Sequence, residues 1–182
     1  MKYTQSAFTL IEVLTSLTII AILTAITLPV ARNFISRTQD EILQKQLLRS
    51  IESAKFEAQA RHAVVALCKS NNQTTCGGEW DNGQLIFLDE NADGVIQRNK
   101  QIITVVQASH HGSIHWRSFP RYQNYLSFLP SGLMNSNNGS FWHCHAASAM
   151  WAIIINKAGR ARVVYPDKSG VIKGPRGKPL MC

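Results

Sequence analysis

The apolar run over residues 8–30 limits what this chain can fold into more than any other feature. Its 23 residues include one ionisable side chain, Glu12. At about 1.5 Å per residue the run makes a helix about 34 Å long, enough to cross a hydrocarbon core of about 30 Å. Only seven residues precede it, with one charge, Lys2. A carboxylate four residues inside a spanning helix costs on the order of 2.5 kcal/mol or more. A compensating positive charge is therefore expected, and processing that frees an amine close to Glu12 would supply it. An ordinary secretory signal has an apolar core of about 7–15 residues followed by a small-x-small site. Here the run is longer, and the nearest such triplet, Ala25-Ile26-Thr27, lies inside it. An uncleaved signal anchor accounts for the length but not for Glu12.

The segment Ala7-Phe8-Thr9-Leu10-Ile11-Glu12 resembles the prepilin processing site of type IV pilins and type II secretion pseudopilins, with Ala7 where that family usually has Gly. The resemblance implies cleavage between Ala7 and Phe8 by a prepilin peptidase, methylation of the new amine, and retention of the helix as a membrane anchor. Glu12 of one subunit would then pair with the Phe8 amine of a neighbour. Pro29 sits where such pilins carry a helix-kinking proline, and its ring is expected to disturb the preceding turn.

The 182 residues fit one domain plus this anchor. Charge is unevenly placed. Residues 1–93 sum to −2, whereas residues 94–182 hold eleven Lys/Arg against one acid, Asp167. A basic second half suits a polyanionic partner, and equally a solvated, soluble surface. Cys68, Cys76, Cys144 and Cys182 suit an exported chain in an oxidising compartment. Of three possible pairings, Cys68 with Cys76 would close a short polar loop, and Cys144 with Cys182 would pin the basic tail.

Beyond Pro29 the pattern stays helical and becomes amphipathic. Leu43, Leu47, Ile51, Ala54 and Ala58 form one apolar stripe. Glu41/Lys45 and Glu57/Arg61 stand four apart in the favourable order. The spacing predicts one helix from near Phe8 to about Arg61. Short strands are then expected over residues 63–68, 84–88, 102–107, 113–117, 125–129, 140–144, 151–155 and 160–165. The fold class is α+β, a lollipop whose long helix packs on a mostly antiparallel sheet. The expected segments are a leader (1–7), a transmembrane half-helix (8–30), an amphipathic half-helix (31–61), a globular β domain (62–155) and a basic hairpin and tail (156–182).

Trp80, Gly83, Phe87 and Asp89-Glu90-Asn91-Ala92-Asp93-Gly94 resemble the first half of the GspH/FimT family domain. Phe128-Leu129-Pro130-Ser131-Gly132, Cys144 and Gly159-Arg160-Ala161-Arg162 resemble its second half. That family comprises minor pilins at pilus tips and a minor pseudopilin of type II secretion.

Catalysis and metal binding have little to rest on. Asp89, Asn91, Asp93 and Gly94 open like a calcium loop, but its twelfth position is Lys100 rather than Glu. A turn built on Asp/Asn/Gly chemistry is the better reading. His143 and His145, and the pair His110-His111, lack identifiable partner ligands. Neither a metal, a cofactor nor an enzymatic activity is expected.

The tail carries the stronger signal. Gly159 is expected to supply the positive φ of a bulged hairpin turn. On the return strand Arg160 and Arg162 would share a face about 6.7 Å apart, a pitch suited to successive phosphates. Lys157, Lys168, Lys173, Arg176 and Lys178 would extend the track along a glycine- and proline-rich flexible arm. The Gly-Arg-Ala-Arg segment resembles a motif through which some FimT-type minor pilins bind DNA in natural transformation. Arg117, Arg121, Trp116, Tyr122 and Tyr125 interleave bases with aromatics in a way that suits stacking on unpaired bases, with Trp116 and Tyr125 better read as core. The expected function is a minor pilin at or near the tip of a type IV pilus, binding DNA without sequence preference. The alternative is a structural pseudopilin priming a type II secretion filament. Expected partners are other pilins, the prepilin peptidase and the inner membrane. The expected location is a single-pass inner-membrane protein with a periplasmic domain that moves to the cell surface on assembly.

Overall fold

The computed structural model describes residues 9–107, 113–120, 122–135, 137–145, 147–175 and 177–182. Ala7, Phe8, His110, His111, Arg121 and Arg176 lie outside the described residues. Helix α1 spans Leu10–Arg61, the single helix expected, with Pro29 inside it. Proline withdraws one backbone donor, and here the turns on either side persist despite that loss. Residues of this helix belong to two compact units, Met1–Gln39 and Asp40–Cys182.

In the first unit Thr9 caps the helix, its Oγ1 accepting from the Glu12 amide at 3.4 Å. Leu10, Ile11, Leu14, Leu17, Ile20, Leu23 and Ile26 are all exposed. Mean hydropathy reaches 2.2 over the most apolar 18 residues, long and apolar enough to cross a membrane. The hydroxyl side chains between them are satisfied locally. Ser16 Oγ donates to Glu12 O at 2.7 Å, Thr18 Oγ1 to Leu14 O at 2.8 Å and Thr27 Oγ1 to Leu23 O at 2.7 Å. Such bonds leave no hydroxyl unpaired in an apolar surrounding.

In the second unit the stripe Leu43, Leu47, Ile51, Ala54 and Ala58 is buried throughout. The pairs Glu41–Lys45 and Glu57–Arg61 form on its outer side. The helix ends in a Schellman turn. The amides of Ala63 and His62 donate to the carbonyls of Ala58 and Gln59, with His62 at φ 52° in the place glycine usually takes.

Among the described residues eight strands follow in two four-stranded sheets, every strand pair antiparallel. One sheet has the order β3-β2-β1-β5, from β1 (Val65–Lys69), β2 (Gly83–Leu88), β3 (Ile102–Gln107) and β5 (Tyr125–Phe128). The other has the order β4-β6-β7-β8, from β4 (Ser113–Phe119), β6 (Asn138–His145), β7 (Ser148–Ile155) and β8 (Ala161–Val164). The helical stripe, Val65, Leu67 and Ile86 of the first sheet, and Phe141, Trp151, Ile153 and Ile155 of the second share one core. Trp80, Trp116 and Phe141 pack ring against ring there, with centroids 4.3–6.3 Å apart. Burying a side chain such as Leu47 or Ile51 contributes about 1.5–3 kcal/mol, which gives the helix its hold on the sheets.

The reverse face of the second sheet is also covered. Trp142, Ala149 and Ala152 form a second cluster with Ile172 and Leu180 of the C-terminal segment. That segment is therefore not the flexible arm its composition suggests. The Leu180 amide donates to Ile172 O at 2.9 Å, Gly174 N donates to Lys178 O at 2.9 Å, and Trp142 Nε1 donates to Met181 O at 2.9 Å. Disulfides join Cys68 to Cys76 and Cys144 to Cys182. The second bond fastens the last residue to β6. Two apolar side chains set among glycines and prolines dock on the matching apolar face of the sheet, alongside the disulfide and the Trp142 bond.

Candidate nucleic-acid interface

The hairpin β7–β8 turns through residues 156–160. Gly159 N donates to Asn156 O at 2.9 Å, Asn156 N to Arg160 O at 3.2 Å, and Arg160 N to Asn156 Oδ1 at 3.0 Å. Gly159 adopts φ +66°, and a Cβ there would lie 2.4 Å from Gly132 O. Two neighbours grip the turn. Lys55 Nζ of the helix donates to Gly159 O at 3.2 Å, and the Met134 amide donates to Lys157 O at 3.1 Å. Nothing in the local sequence pattern points to Lys55, which stands 104 residues from the carbonyl it holds.

On β8 exposure alternates. Ala161 and Val163 pack against the main core, while Arg160 and Arg162 are exposed. Neither guanidinium forms an ion pair among the described residues. Arg160 lies just before the strand and lines a cleft with Glu52, Lys55 and Phe56 of the helix. Arg162 lies opposite Ile154, Ile154 opposite Ser140, and Ser140 opposite Arg117. Arg117 and Arg162 thus end one lateral row across all four strands. At about 4.8 Å per strand they stand about 14 Å apart. Arg117 also lies over the Trp142 ring at 5.4 Å.

The remaining lysines are spread over the turn and tail. Lys157, Lys168, Lys173 and Lys178 are exposed. Lys173 lies 4.0 Å from Asp167, so part of its charge is already answered. Asp167 holds the turn before it, accepting from the Ser169 hydroxyl and from the Ser169 and Val171 amides. Those bonds, the hydroxyl's first, lower its carboxyl below the usual range.

Of the residues weighed as metal ligands, Asp89, His143 and Cys144 have other partners. Asp89 accepts from the amides of Asp93 and Gly94, closing the turn after β2. Gly94, at φ +74°, passes so close to Tyr125 that a Cβ would lie 2.2 Å from its ring. Cys144 is in a disulfide, and His143 meets Asp40 at 2.9 Å. Among the described residues no group of three potential ligands comes together. Trp116 is core, and Tyr125 packs on the apolar cluster behind the first sheet.

Sequence-family comparison matches residues 44–159 to the family described as type II transport protein GspH, and residues 2–28 to the prokaryotic N-terminal methylation motif. The GspH match stops one residue short of Arg160. No curated protein matches the chain. Among solved structures, the type IV minor pilin FimU of Pseudomonas aeruginosa (strain PAO1) in space group P21 aligns with a TM-score of 0.55 at 16% identity. The alignment covers 79% of this chain and 98% of that one. A second FimU crystal form, P65, aligns with a TM-score of 0.49 at 15% identity over 70% of this chain and 91% of that one. The P21 likeness concerns the fold, a long helix packed on antiparallel sheets. The methylation motif marks the apolar helix as prepilin-like. With both matches and this fold, the chain belongs to the GspH/FimT family of minor pilins and pseudopilins.

Proposed function

We propose that this chain is a minor pilin of a type IV pilus, cut between Ala7 and Phe8 and assembled at or near the tip, where it binds extracellular DNA for uptake. The chain is inserted once in the inner membrane with Asp40–Cys182 on the periplasmic side, and reaches the cell surface on assembly. Subunits meet through the apolar helix, with Glu12 pairing the Phe8 amine of a neighbour. A Glu12→Ala chain that still entered filaments normally would remove that pairing. DNA is held by Arg160 and Arg162, with Lys157, Lys168, Lys173, Arg176 and Lys178 adding field, and no chemistry is performed on it. The supporting observation is the pair of exposed guanidiniums on and just before β8, neither engaged by a carboxylate among the described residues. Two such cations can bind phosphates bidentately and without regard to base sequence.

The experiment is anisotropy of labelled duplex DNA with the full-length chain in detergent, titrated with salt. Affinity should fall steeply with salt, and Arg160→Gln/Arg162→Gln should lower the log–log slope by about 1.8, two contacts at about 0.9 each. Unchanged affinity and slope in that variant would remove the pair from the mechanism.

The family description as a type II transport protein favours a second reading, a structural pseudopilin priming a secretion filament. Deletion separates the two. Loss of transformation with secretion intact supports the pilus, and loss of exoprotein release supports the secretion filament.

A further inference from the structure

A groove of about 490 Å³ runs between the edge of the second sheet and the docked C-terminal segment. Arg117 and Phe119 of β4 form one wall, Asn138 and Ser140 of β6 the floor, and Lys178 and Leu180 the other wall. Its volume suits a small planar ligand, and an apolar lining with a few polar groups is how such sites are built. The Phe119 side chain is 43% exposed, so part of its ring is open to solvent. Asn138 Oδ1 is buried and has no hydrogen-bond partner among the described residues. An acceptor left dry in this way suits a donor brought by a ligand. Cations stand on both sides, Arg117 on the sheet edge and Lys178 on the segment.

We propose that this groove is a subsite for one unpaired nucleotide of single-stranded nucleic acid. The base stacks on Phe119, its exocyclic amine donates to Asn138 Oδ1, and the flanking phosphates lie on Arg117 and Lys178. Arg117 and Arg162 end one lateral row on the same face of the sheet, with Ser140 and Ile154 buried between them, so the subsite and the Arg160/Arg162 edge are two separate cationic positions on one sheet. The inference rests on the nucleic-acid reading of that edge and extends it from phosphates to a base. Stacking is tolerant of base identity, whereas the amine contact favours cytosine or adenine over thymine, which lacks that donor.

The test uses the full-length chain in detergent with short oligo-dC, oligo-dT and duplex of equal length. Expected results are tighter binding of oligo-dC than of oligo-dT, and a loss of about tenfold in single-strand affinity for Phe119→Ala, the effect of one stacked base. Duplex affinity should stay within about twofold, since phosphate contacts alone carry it. Phe119→Trp should retain the single-strand affinity. A 2-aminopurine placed in the oligonucleotide should be quenched by the wild type and not by Phe119→Ala. Unquenched 2-aminopurine, or an equal effect of Phe119→Ala on both forms of DNA, overturns the subsite while leaving the Arg160/Arg162 track standing. A wild type that binds neither form overturns both. Normal DNA binding with poor filament entry in Phe119→Ala would give the groove to a neighbouring subunit instead, and overturns the subsite as well.

Discussion

Asp40 and His143, 103 residues apart, meet at 2.9 Å between the first residue of the globular unit and the middle of β6. The His143 side chain is 3% exposed and that of Asp40 17%, so the bond is largely shielded from water. Nε2–H donates to the carboxylate, and the ring stacks on Trp151 with centroids 5.4 Å apart. His143 Nδ1 is buried without a partner among the described residues, so the ring's side-chain hydrogen bond is the one to Asp40. Asp40→Ala should cost about 1–3 kcal/mol, the usual consequence of stranding a buried polar group. Asp40→Asn keeps an acceptor oxygen and should cost less. Urea unfolding midpoints of the two variants check this, and a wild-type midpoint for Asp40→Ala would refute it.

Gly159 controls the presentation of Arg160. Its φ of +66° and the 2.4 Å approach that a Cβ would make to Gly132 O combine conformational strain with a backbone clash. Gly159→Ala should lose about 1–3 kcal/mol. Lys55→Met, which removes the ammonium from Gly159 O, should lose less because the carbonyl can turn to water. Thermal unfolding of both variants ranks them, and the reverse order would show that the ammonium rather than the backbone holds the turn.

The Cys144–Cys182 bond closes a loop with a sequence separation of 38. The entropic model sets its contribution at about 4 kcal/mol as an upper figure. Cys144→Ser/Cys182→Ser should release the segment before it unfolds the domain, since Ile172 and Leu180 alone then hold it. Limited proteolysis should cut within residues 165–182 faster in the variant, and Trp142 fluorescence should shift as its bond to Met181 O opens. Identical cleavage in both proteins would mean that apolar docking holds the segment without the bond.

What a reader of the sequence can and cannot recover follows from where each signal lies. The stripe Leu43, Leu47, Ile51, Ala54 and Ala58 was legible because its period is local, and all five residues are buried. The strand runs were legible for the same reason, to within a few residues at their ends. Their division into two sheets was not, since it depends on pairings such as Val65 with Phe128. Docking of the tail was hidden for a related reason. Ile172 and Leu180 look isolated among glycines, prolines and lysines until Trp142, Ala149 and Ala152 are seen beneath them. The Arg117–Arg162 row requires the register of three strand pairs, which no spacing within one strand reports. The Gly-Arg-Ala-Arg segment could be read directly, although its neighbour Lys55 could not.

Asp89 links the fold to pH. The residue is 1% exposed, and burial pushes its carboxyl above the ordinary value of 3.8, against the pull of the Gly94 and Asp93 amides. Burial chiefly, with the Asp89 charge second, also raises the Tyr125 hydroxyl. A raised carboxyl means that the folded chain holds its proton more tightly than the unfolded one. Its stabilising contribution is therefore complete below the unfolded value and is lost as pH rises through the folded value. Stability should fall across that window, which opens upward from about 3.8. Asp89→Asn carries no charge to bury and keeps one oxygen for the Asp93 and Gly94 amides. Its unfolding free energy should change less with pH there, so the difference between the two proteins should shift in favour of the wild type as pH falls toward 4. Asp167 titrates in the opposite sense but is common to both proteins, so the difference between profiles isolates Asp89. Urea unfolding in half-unit pH steps measures it, and parallel profiles would show that the amides of the turn fully offset the cost of the buried charge.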